Sequence, residues 1–372
     1  MVVLLNKKIL GGAIAAGVIA VVITVILSQT PTLVEKIPIQ KNEKLGLYIM
    51  TPSATPTLAD LKKAYAEAAS TGIGRSNVYL FWSTLEPQQG QYDWKISDAL
   101  MSLNKQNDLK VTLYFSIINN RVFGPFPTWM GEPQLDDNLK EKTVKVLDDI
   151  LSRYGIVDHV IIGGDIDSYF REHEQDITKY EAFFTDAYNK LKEKHPNVKF
   201  GNSFSLHGVL NHQQEDLVSK LNQGDFVAFT YFPVNLLNEI DNTPEDAGKN
   251  LEKILDLVGN KHVALMEVSW STAKSINGTQ EGQLEFMKIV YNFYRKNEPK
   301  FEFLTWYRQY DRPADICMKG LNITHGSLSF GNEIVLQNTA QYLCYAGLID
   351  ADKHPKPAWE EFKKQIRFNP NS

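Results

Sequence analysis

The sequence predicts an α/β protein in which eight parallel strands close into a (β/α)8 barrel, preceded by a transmembrane helix. Short β-rich runs alternate with amphipathic helical stretches, and eight such runs recur at intervals of roughly 28–49 residues. Several runs are almost continuously apolar, as expected of strands that helices cover on the outside. A separate uncharged stretch of 20 residues lies close to the first residue of the chain.

The uncharged stretch, residues 9–28, predicts a transmembrane signal anchor. At a rise of about 1.5 Å per residue, a helix of this length spans roughly 30 Å, the thickness of the hydrocarbon layer. Lys7 and Lys8 precede it and the first charge after it is Glu35, so the positive-inside rule places residues 1–8 in the cytoplasm. We therefore expect a single-pass protein of the cell membrane with an extracytoplasmic domain. A cleaved signal peptide is the alternative, although its apolar core is usually shorter, about 7–15 residues.

Residues 29–43 are polar, contain two prolines and predict a linker, which leaves residues 44–368 for the barrel domain. The runs that predict its strands are Leu45–Met50, Asn77–Trp82, Lys110–Ser116, His159–Gly163, Val198–Asn202, Phe226–Tyr231, His262–Glu267 and Glu302–Trp306. The patterns that predict helices between them are Leu58–Ser70, Ile96–Asn107, Lys140–Tyr154, Lys179–His195, Pro244–Val258, Gln280–Arg295 and Glu333–Tyr345.

An open, doubly wound sheet is the alternative to a closed barrel. Such a sheet usually carries a glycine-rich phosphate-binding turn after its first strand, and the segment 50–53, Met-Thr-Pro-Ser, is not such a turn. Eight strands within about 325 residues are typical of the closed (β/α)8, or TIM, barrel.

The composition is that of a globular protein, with 43% hydrophobic and 22% charged residues. The net charge is −5 and no Lys/Arg cluster is present, so we expect no nucleic-acid partner. No His/Cys/Asp cluster has metal-ligand spacing, and neither a Gly-x-Ser-x-Gly elbow nor a phosphate loop occurs, so we expect no cofactor. The two cysteines, Cys317 and Cys344, either form one disulfide that pins a loop to the last helix or remain two unpaired buried thiols.

Closed barrels place their reactive groups at the C-terminal ends of the strands. Two acids fall there: Asp165 after the fourth predicted strand and Glu267 at the end of the seventh. Cleavage of a glycosidic bond needs one carboxyl to protonate the leaving oxygen and a second to attack or stabilise the anomeric carbon. A structural role is open for both, because Glu267 could form an ion pair at the barrel mouth and Asp165 could cap a helix or a turn.

Four segments resemble those of one family, the clan A glycoside hydrolases, and particularly its endo-β-galactanase and β-galactosidase branches. Residues 81–94, FWSTLEPQQGQYDW, are similar to the segment after the second strand, and residues 262–270, HVALMEVSW, to the seventh strand with its nucleophile glutamate. Residues 225–233 and 354–362 are similar to their counterparts as well. The resemblance covers nearly all of the chain after residue 43.

This resemblance implies a membrane-anchored extracytoplasmic glycoside hydrolase whose partner is carbohydrate. The substrate would be β-linked polysaccharide or surface glycan, cleaved with retention of configuration by Glu267 as the nucleophile and Asp165 as the acid/base. A second hypothesis is a catalytically inactive barrel that binds glycans or serves the cell envelope, because folds are reused without their chemistry. A barrel enzyme of another chemistry would need a Schiff-base lysine or metal ligands at the strand ends, and the predicted strand ends carry neither.

One motif departs from the family pattern. Where the fourth strand of the clan normally ends Gly-Asn-Glu, this chain has Gly163, Gly164 and Asp165. Gly164 removes a side chain that holds the 2-hydroxyl of the sugar, and aspartate is one methylene shorter than glutamate. A misplacement of about 1 Å can cost on the order of a hundredfold in rate. Asp165 therefore works from an adjusted backbone or the acid is lost, with Asp167 and Glu172 as nearby substitutes.

Further residues are assigned to substrate binding. Tyr231 is expected to donate a hydrogen bond to Glu267, and Trp306 to form an apolar floor beneath the sugar. The remaining candidates are stacking platforms or hydroxyl-binding groups: Trp270, Trp82, Asn202, His207 and Asn119. Each has a structural alternative, because rim tyrosines, tryptophans and lone histidines often serve only packing.

Overall fold

The computed structural model describes residues 40–324 and 332–368. Within them eight parallel strands, each hydrogen-bonded to the next and the eighth to the first, close into a barrel. The predicted (β/α)8 architecture is therefore confirmed. The strands are β1 (Asn42–Leu47), β2 (Ile73–Tyr79), β3 (Lys110–Asn119), β4 (Val157–Gly164), β5 (Lys199–Ser205), β6 (Phe226–Tyr231), β7 (His262–Val268) and β8 (Phe301–Trp306).

Helices connect the strands along the chain. They are α1 (Leu58–Ala69), α2 (Trp82–Leu85), α3 (Lys95–Gln106), α4 (Asp137–Arg153), α5 (Asp167–Phe170), α6 (Ile177–Lys194), α7 (Leu206–Asn211), α8 (Glu215–Lys220), α9 (Pro244–Val258), α10 (Gln280–Lys296), α11 (Ala314–Thr324), α12 (Glu333–Cys344) and α13 (Pro357–Arg367). All seven predicted helices are present and differ from the prediction by no more than three residues at either end. A short strand, Val122–Phe123, pairs antiparallel with the end of β3.

The first two strands begin three to four residues earlier than the sequence predicts. β2 carries polar side chains that are buried with hydrogen bonds: Arg75 Nη2 donates to Asp158 Oδ2 at 2.8 Å, and Ser76 Oγ donates to Asn104 Oδ1 at 2.6 Å. The apolar run that predicted this strand continues instead into α2, which begins at the buried Trp82. Because apolar runs report burial rather than strand geometry, the prediction placed the end of β2 too late.

The interior of the barrel is filled with side chains. One buried layer consists of Tyr114, Ile161, Phe226, Ala228, Ala264, Met266 and Phe303. At the N-terminal end of the barrel, the guanidinium of Arg75 lies over the ring of Phe303, 4.9 Å from its centroid. Because packed side chains close the middle and the N-terminal end, a substrate has access only at the C-terminal ends of the strands.

A threonine is the N-cap residue of three of the helices that surround the barrel. Thr57 and Asp60 form a reciprocal capping box at the start of α1. Thr243 caps α9, in which Pro244 occupies the first turn without losing a needed N–H, and Thr279 caps α10. These local signals explain why the helix positions could be predicted closely.

The segment between β8 and α13 adds two helices, α11 and α12, to the barrel. A disulfide between Cys317 and Cys344 joins them, with a Cα–Cα distance of 5.8 Å. Of the two alternatives that the sequence left open, the structure has the bridge, although it joins α11 to α12 and not a loop to the last helix. Leu321, Leu336 and Ala340 pack beside it in a small apolar cluster.

The predicted membrane anchor, residues 9–28, lies outside the described residues, as does most of the predicted linker, residues 29–43. Strand β1 begins at Asn42, inside the last two residues of that linker. Among residues 40–324 and 332–368, no helix combines the length and the apolar character needed to cross a membrane.

Candidate active site

A cavity of about 480 Å³ opens at the C-terminal ends of the strands. Asp165, which follows β4, and Glu267, in β7, both line it. Each is partly accessible to solvent. The two acids that the sequence singled out at separate strand ends therefore share one cavity.

Glu267 is held by a tyrosine from a strand three positions away around the barrel. The hydroxyl of Tyr79, the last residue of β2, donates a hydrogen bond to Glu267 Oε1. Tyr79 is itself fixed between two rings, Tyr48 at 5.1 Å and Tyr114 at 4.8 Å between ring centroids. Tyr307 stacks on Tyr48 at 5.4 Å, so the acid faces a floor of four tyrosines.

Asp165 has an unusual backbone conformation. Its φ angle is +48°, in the left-handed region that aspartate tolerates better than most residues. Ser203 Oγ accepts from the Asp165 N–H at 2.9 Å and donates to Asp165 Oδ1 at 3.1 Å. Thr230 Oγ1 donates to the same carboxylate oxygen at 2.9 Å. The structure thus has, at Asp165, the adjusted backbone that one of the two alternatives from the sequence invoked.

Thr230 links the two acids. Its side chain bonds Asp165, and its backbone is the cross-strand neighbour of Glu267 in the β6–β7 ladder. Adjacent strands lie about 4.7–4.9 Å apart, so this one threonine has both carboxyl groups beside it. Two carboxyl groups in such proximity repel each other when both are ionised.

Burial changes the proton affinity of both acids. Burial raises the pKa of Glu267 to about 8; the charge of Asp165 adds to the rise, whereas the Tyr79 hydrogen bond and Arg308 oppose it. Burial also raises the pKa of Asp165, against the hydrogen bonds from Thr230 and Ser203. Near neutral pH the pair therefore retains a proton, as an acid/base pair requires.

Side chains from neighbouring elements occupy the space beside Gly163 and Gly164. A Cβ atom on Gly164 would overlap the hydroxyl of Tyr114, and one on Gly163 would overlap the hydroxyl of Tyr180. The Tyr114 hydroxyl donates to Asn119 Oδ1 at 2.7 Å, and both residues line the cavity. A tyrosine and an asparagine of β3 thus place polar groups beside Gly164 in the cavity wall.

The two alternative acids lie outside the cavity. Asp167 is fully buried, accepts a hydrogen bond from the Ser205 N–H at 2.7 Å, and has its pKa raised by burial to about 8. Glu172 has a side chain that is 59% exposed and lies 3.9 Å from Arg121. Neither residue lines the cavity, so Asp165 is the better placed partner for Glu267.

Of the predicted binding residues, His207 and Asn119 line the cavity. Burial lowers the pKa of His207 to about 4, and the positive charges of Arg171 and His212 add to this effect. His207 is therefore neutral at pH 7, and a neutral imidazole both donates and accepts hydrogen bonds, as sugar hydroxyls do.

The predicted hydrogen bond from Tyr231 to Glu267 is wrong. Tyr231 is buried, and its hydroxyl donates to the Ala247 carbonyl of α9 at 3.1 Å. Side chains alternate along a strand, and Thr230 points into the barrel, so Tyr231 points outward. Tyr79 takes the role that the sequence assigned to Tyr231.

Four other predicted binding residues do not line the cavity. Trp306 has no exposed surface and packs on Phe286 outside the barrel, as Trp270 also does. Trp82 is buried and donates its indole N–H to Glu86 at 2.7 Å. Asn202 is buried and accepts a hydrogen bond from Tyr180 at 2.8 Å. The placement of these four is that of packing residues.

Sequence reasoning missed two groups of cavity residues. One is the tyrosine floor, and Tyr79 would have been found had the end of β2 been placed correctly. The other is a set of arginines that no motif marks: Arg121, Arg171, Arg308 and Arg312. In the described part of the chain, no group of three or more His, Cys, Asp or Glu side chains is arranged to hold a metal ion.

The fold is shared with solved glycoside hydrolases. A GH5_18 protein from Bifidobacterium longum subsp. longum, in complex with Manβ1-4GlcNAc, has a TM-score of 0.62 and 14% identity over 87% of this chain and 78% of that chain. A GH5_18 protein from Streptomyces cattleya in complex with the same sugar has a TM-score of 0.63 and 15% identity over 88% and 80%. Xylanase 10B from Thermotoga maritima has a TM-score of 0.57 and 13% identity over 87% and 94%.

No family model matches the sequence, and no curated protein matches it. The structural similarity, at 13–15% identity, shows the common fold. The resemblance to the (β/α)8 barrels of clan A, inferred from the sequence, is thereby confirmed at the level of the fold.

Replacement of Glu267 by glutamine is expected to flatten the pH dependence of stability. The pKa of Glu267 in the folded protein is about 8, above the ordinary value of 4.5. The folded state holds this proton more tightly than the unfolded chain, so the stabilisation is present below pH 4.5 and is lost as the pH rises to about 8. Urea unfolding of wild type and Glu267→Gln between about pH 5 and 8 measures the difference.

Glu252→Gln is the matched control, because Glu252 is exposed on α9 and its replacement removes the same charge. This variant should keep the wild-type slope of unfolding free energy against pH. Equal slopes in wild type and Glu267→Gln would contradict the raised pKa.

Proposed function

We propose that this protein is a retaining glycoside hydrolase that cleaves β-linked polysaccharide or surface glycan. The observation that carries the proposal is the placement of Asp165 and Glu267 in one cavity, on either side of Thr230. The barrel fold that the chain shares with solved glycoside hydrolases agrees with it.

Near neutral pH the free protein holds the proton of the pair on Glu267, so in the proposed mechanism this proton passes to Asp165 when the substrate binds. Glu267, now ionised, attacks the anomeric carbon while Asp165 gives the proton to the leaving glycosidic oxygen. Both hydrogen bonds to Asp165 reach Oδ1, so Oδ2 is the oxygen that would deliver the proton. Asp165, now ionised, takes a proton from a water molecule as the oxygen of that water bonds to the anomeric carbon, and Glu267 leaves as the carboxylate. Tyr79 orients Glu267 and favours its ionised form through the hydrogen bond to Oε1.

Retention requires carboxyl groups about 5–5.5 Å apart, whereas inversion leaves room for a water at about 6.5–9.5 Å. Thr230 has both acids as neighbours, and the charge of Asp165 contributes to the raised pKa of Glu267. Both observations agree with two acids that act as a pair, and we propose the shorter separation with a covalent glycosyl intermediate.

An inactive glycan-binding barrel is the competing function. A site without catalytic activity would not need the Tyr180 and Tyr114 hydroxyls beside Gly163 and Gly164. It would also not need a tyrosine that fixes Glu267. The ordered hydrogen bonds of Tyr114 and Tyr79 therefore favour an active enzyme.

Glu267→Gln is expected to remove turnover of aryl β-glycosides by a factor on the order of a thousand or more, because the amide cannot attack. Initial rates over a panel of β-glycosides measure the loss, and circular dichroism checks the fold. Glu172→Gln is the control, since Glu172 lies outside the cavity, and it should retain nearly the wild-type rate. Unchanged turnover in Glu267→Gln would reject the nucleophile.

Asp165→Ala is expected to slow substrates with poor leaving groups about 10²–10⁴-fold and to spare activated aryl glycosides in the first step, because only poor leaving groups need a proton. Comparison of kcat/KM for nitrophenyl and unsubstituted phenyl β-glycosides separates the two effects. An equal loss on both substrates would remove Asp165 as the acid.

If Asp165→Ala abolished all turnover and Glu267→Gln spared activated substrates, the two roles would be exchanged.

We also propose that residues 9–28 anchor the enzyme in the cell membrane with the barrel outside. The proposal is supported by the length of this uncharged segment and by Lys7 and Lys8 before it. The full chain should sediment with membranes and resist extraction by high salt, whereas a chain that lacks residues 1–28 should stay in solution. Recovery of the full chain in solution would contradict the anchor.

A further inference from the structure

Arg308, directly beyond the end of β8, is a buried cation with an unused donor. Its side chain lines the cavity, the residue is 5% exposed, and Nε has no hydrogen-bond partner. Its other contacts are neutral: Nη2 donates to the Tyr307 hydroxyl at 2.6 Å, and Nη1 lies 3.9 Å from Cys317 Sγ of the disulfide. A buried charge normally has an ionic partner, because desolvation is otherwise uncompensated.

The described part of the chain does not supply that partner. Among the residues that the structure describes, no carboxylate lies within 4.0 Å of Arg308. The acids in its vicinity are engaged elsewhere: Asp311 pairs with Lys356 at 2.7 Å, and Glu267 accepts from Tyr79. Arg308 influences both acids only through its charge.

A second guanidinium lies near the first. Arg312 also lines the cavity, and its pKa is lowered by burial and further by the positive charge of Arg308. Arg312 Nε donates to the Thr51 carbonyl at 3.3 Å, and no carboxylate of the described ranges lies within 4.0 Å of its guanidinium. Two like charges thus lie near each other at the cavity, and neither forms an ion pair with a described carboxylate.

The remaining cavity arginines differ in this respect. Arg171 lies 3.7 Å from Asp167, and Arg121 lies 3.9 Å from Glu172. Among the residues that the structure describes, four arginines and two acids, Asp165 and Glu267, line the cavity, in a chain that has 39 Lys and Arg and 44 Asp and Glu residues in all. The excess of positive charge is therefore local to the cavity. The two arginines without an ion pair to a described carboxylate, Arg308 and Arg312, both follow β8.

We propose that Arg308 and Arg312 bind an anionic substituent of the glycan, such as the carboxylate of a uronic acid or a sulfate ester. The planar guanidinium matches the geometry of such oxyanions, and both arginines line the cavity without a carboxylate of the described residues within 4.0 Å. The charge of Arg308 acts on Glu267, so the anionic sugar would lie at or beside the residue being cleaved. The inference rests on the proposed function and names the substrate class of that site.

The test measures binding in the Glu267→Gln protein, so that turnover is not needed. Its titrants are a β-linked oligosaccharide that carries one uronic acid, the same oligosaccharide with the carboxyl reduced to an alcohol, and its sulfated form. We expect at least one anionic form to bind roughly tenfold or more tightly than the neutral one by isothermal titration. The advantage should shrink as salt increases, since partly exposed charges are screened.

A second substitution in the Glu267→Gln protein tests whether the arginines cause the preference for the anionic oligosaccharide. Arg308→Gln and Arg312→Gln should each reduce the anionic advantage at least several-fold and leave affinity for the neutral form little changed. Arg367→Gln is the matched control, because Arg367 is exposed and donates to backbone carbonyls of Ser70 and Thr71. This control should keep the full preference.

The outcomes separate the inference from the function. Equal affinity for anionic and neutral forms, or a preference that survives both arginine substitutions, would overturn the inference while hydrolysis of neutral glycans could still be observed. Arg308→Gln can also be made in the otherwise wild-type enzyme. If it shifted the pH dependence of turnover there and left the preference for anionic sugars unchanged, Arg308 would act only on Glu267 and the inference would fail. An arginine-dependent preference without turnover of any glycan by the wild type would instead reject the hydrolase and keep the anionic site.

Discussion

The hydrogen bond from Thr230 to Asp165 is the contact on which the rest of the site depends. It crosses from β6 to the end of β4 and places Asp165 beside the residue that neighbours Glu267 in the sheet. The left-handed backbone at Asp165 and the two hydrogen bonds of Ser203 hold the shorter side chain in that position. Closure of the barrel brings these elements together, since the three strands lie in order around its mouth.

The two glycines before Asp165 form part of a packing arrangement that reaches across several strands. Tyr114 and Tyr180 occupy the space that side chains at these positions would need, and the Tyr114 hydroxyl remains in the cavity wall with Asn119. The space beside the two glycines is therefore occupied by side chains of other elements. A motif read along one strand does not contain this information, because these side chains belong to other parts of the chain.

The sequence was sufficient for the barrel, the helices and the position of the two acids, because apolar runs, amphipathic patterns and acids at strand ends are local signals. The sequence was not sufficient to predict which residues surround the two acids, because this depends on the direction in which each side chain points. Tyr231 and Trp306 lie on strands that were placed correctly, yet both point outward. Tyr79 was missed because the apolar segment at Trp82 drew the predicted end of β2 beyond it. Arg308 was missed because an arginine after a strand carries no signal until its lack of an acidic partner is seen.

Trapping of a glycosyl intermediate tests the central claim most directly. An activated 2-deoxy-2-fluoro-β-glycoside slows the second step of a retaining enzyme, and peptide mass spectrometry then locates the bound sugar. We predict a sugar attached to Glu267 in the wild type, with none in Glu267→Gln. Hydrolysis that yields the inverted anomer without any adduct, or a sugar attached to a residue outside the cavity, would contradict the paired roles of Asp165 and Glu267.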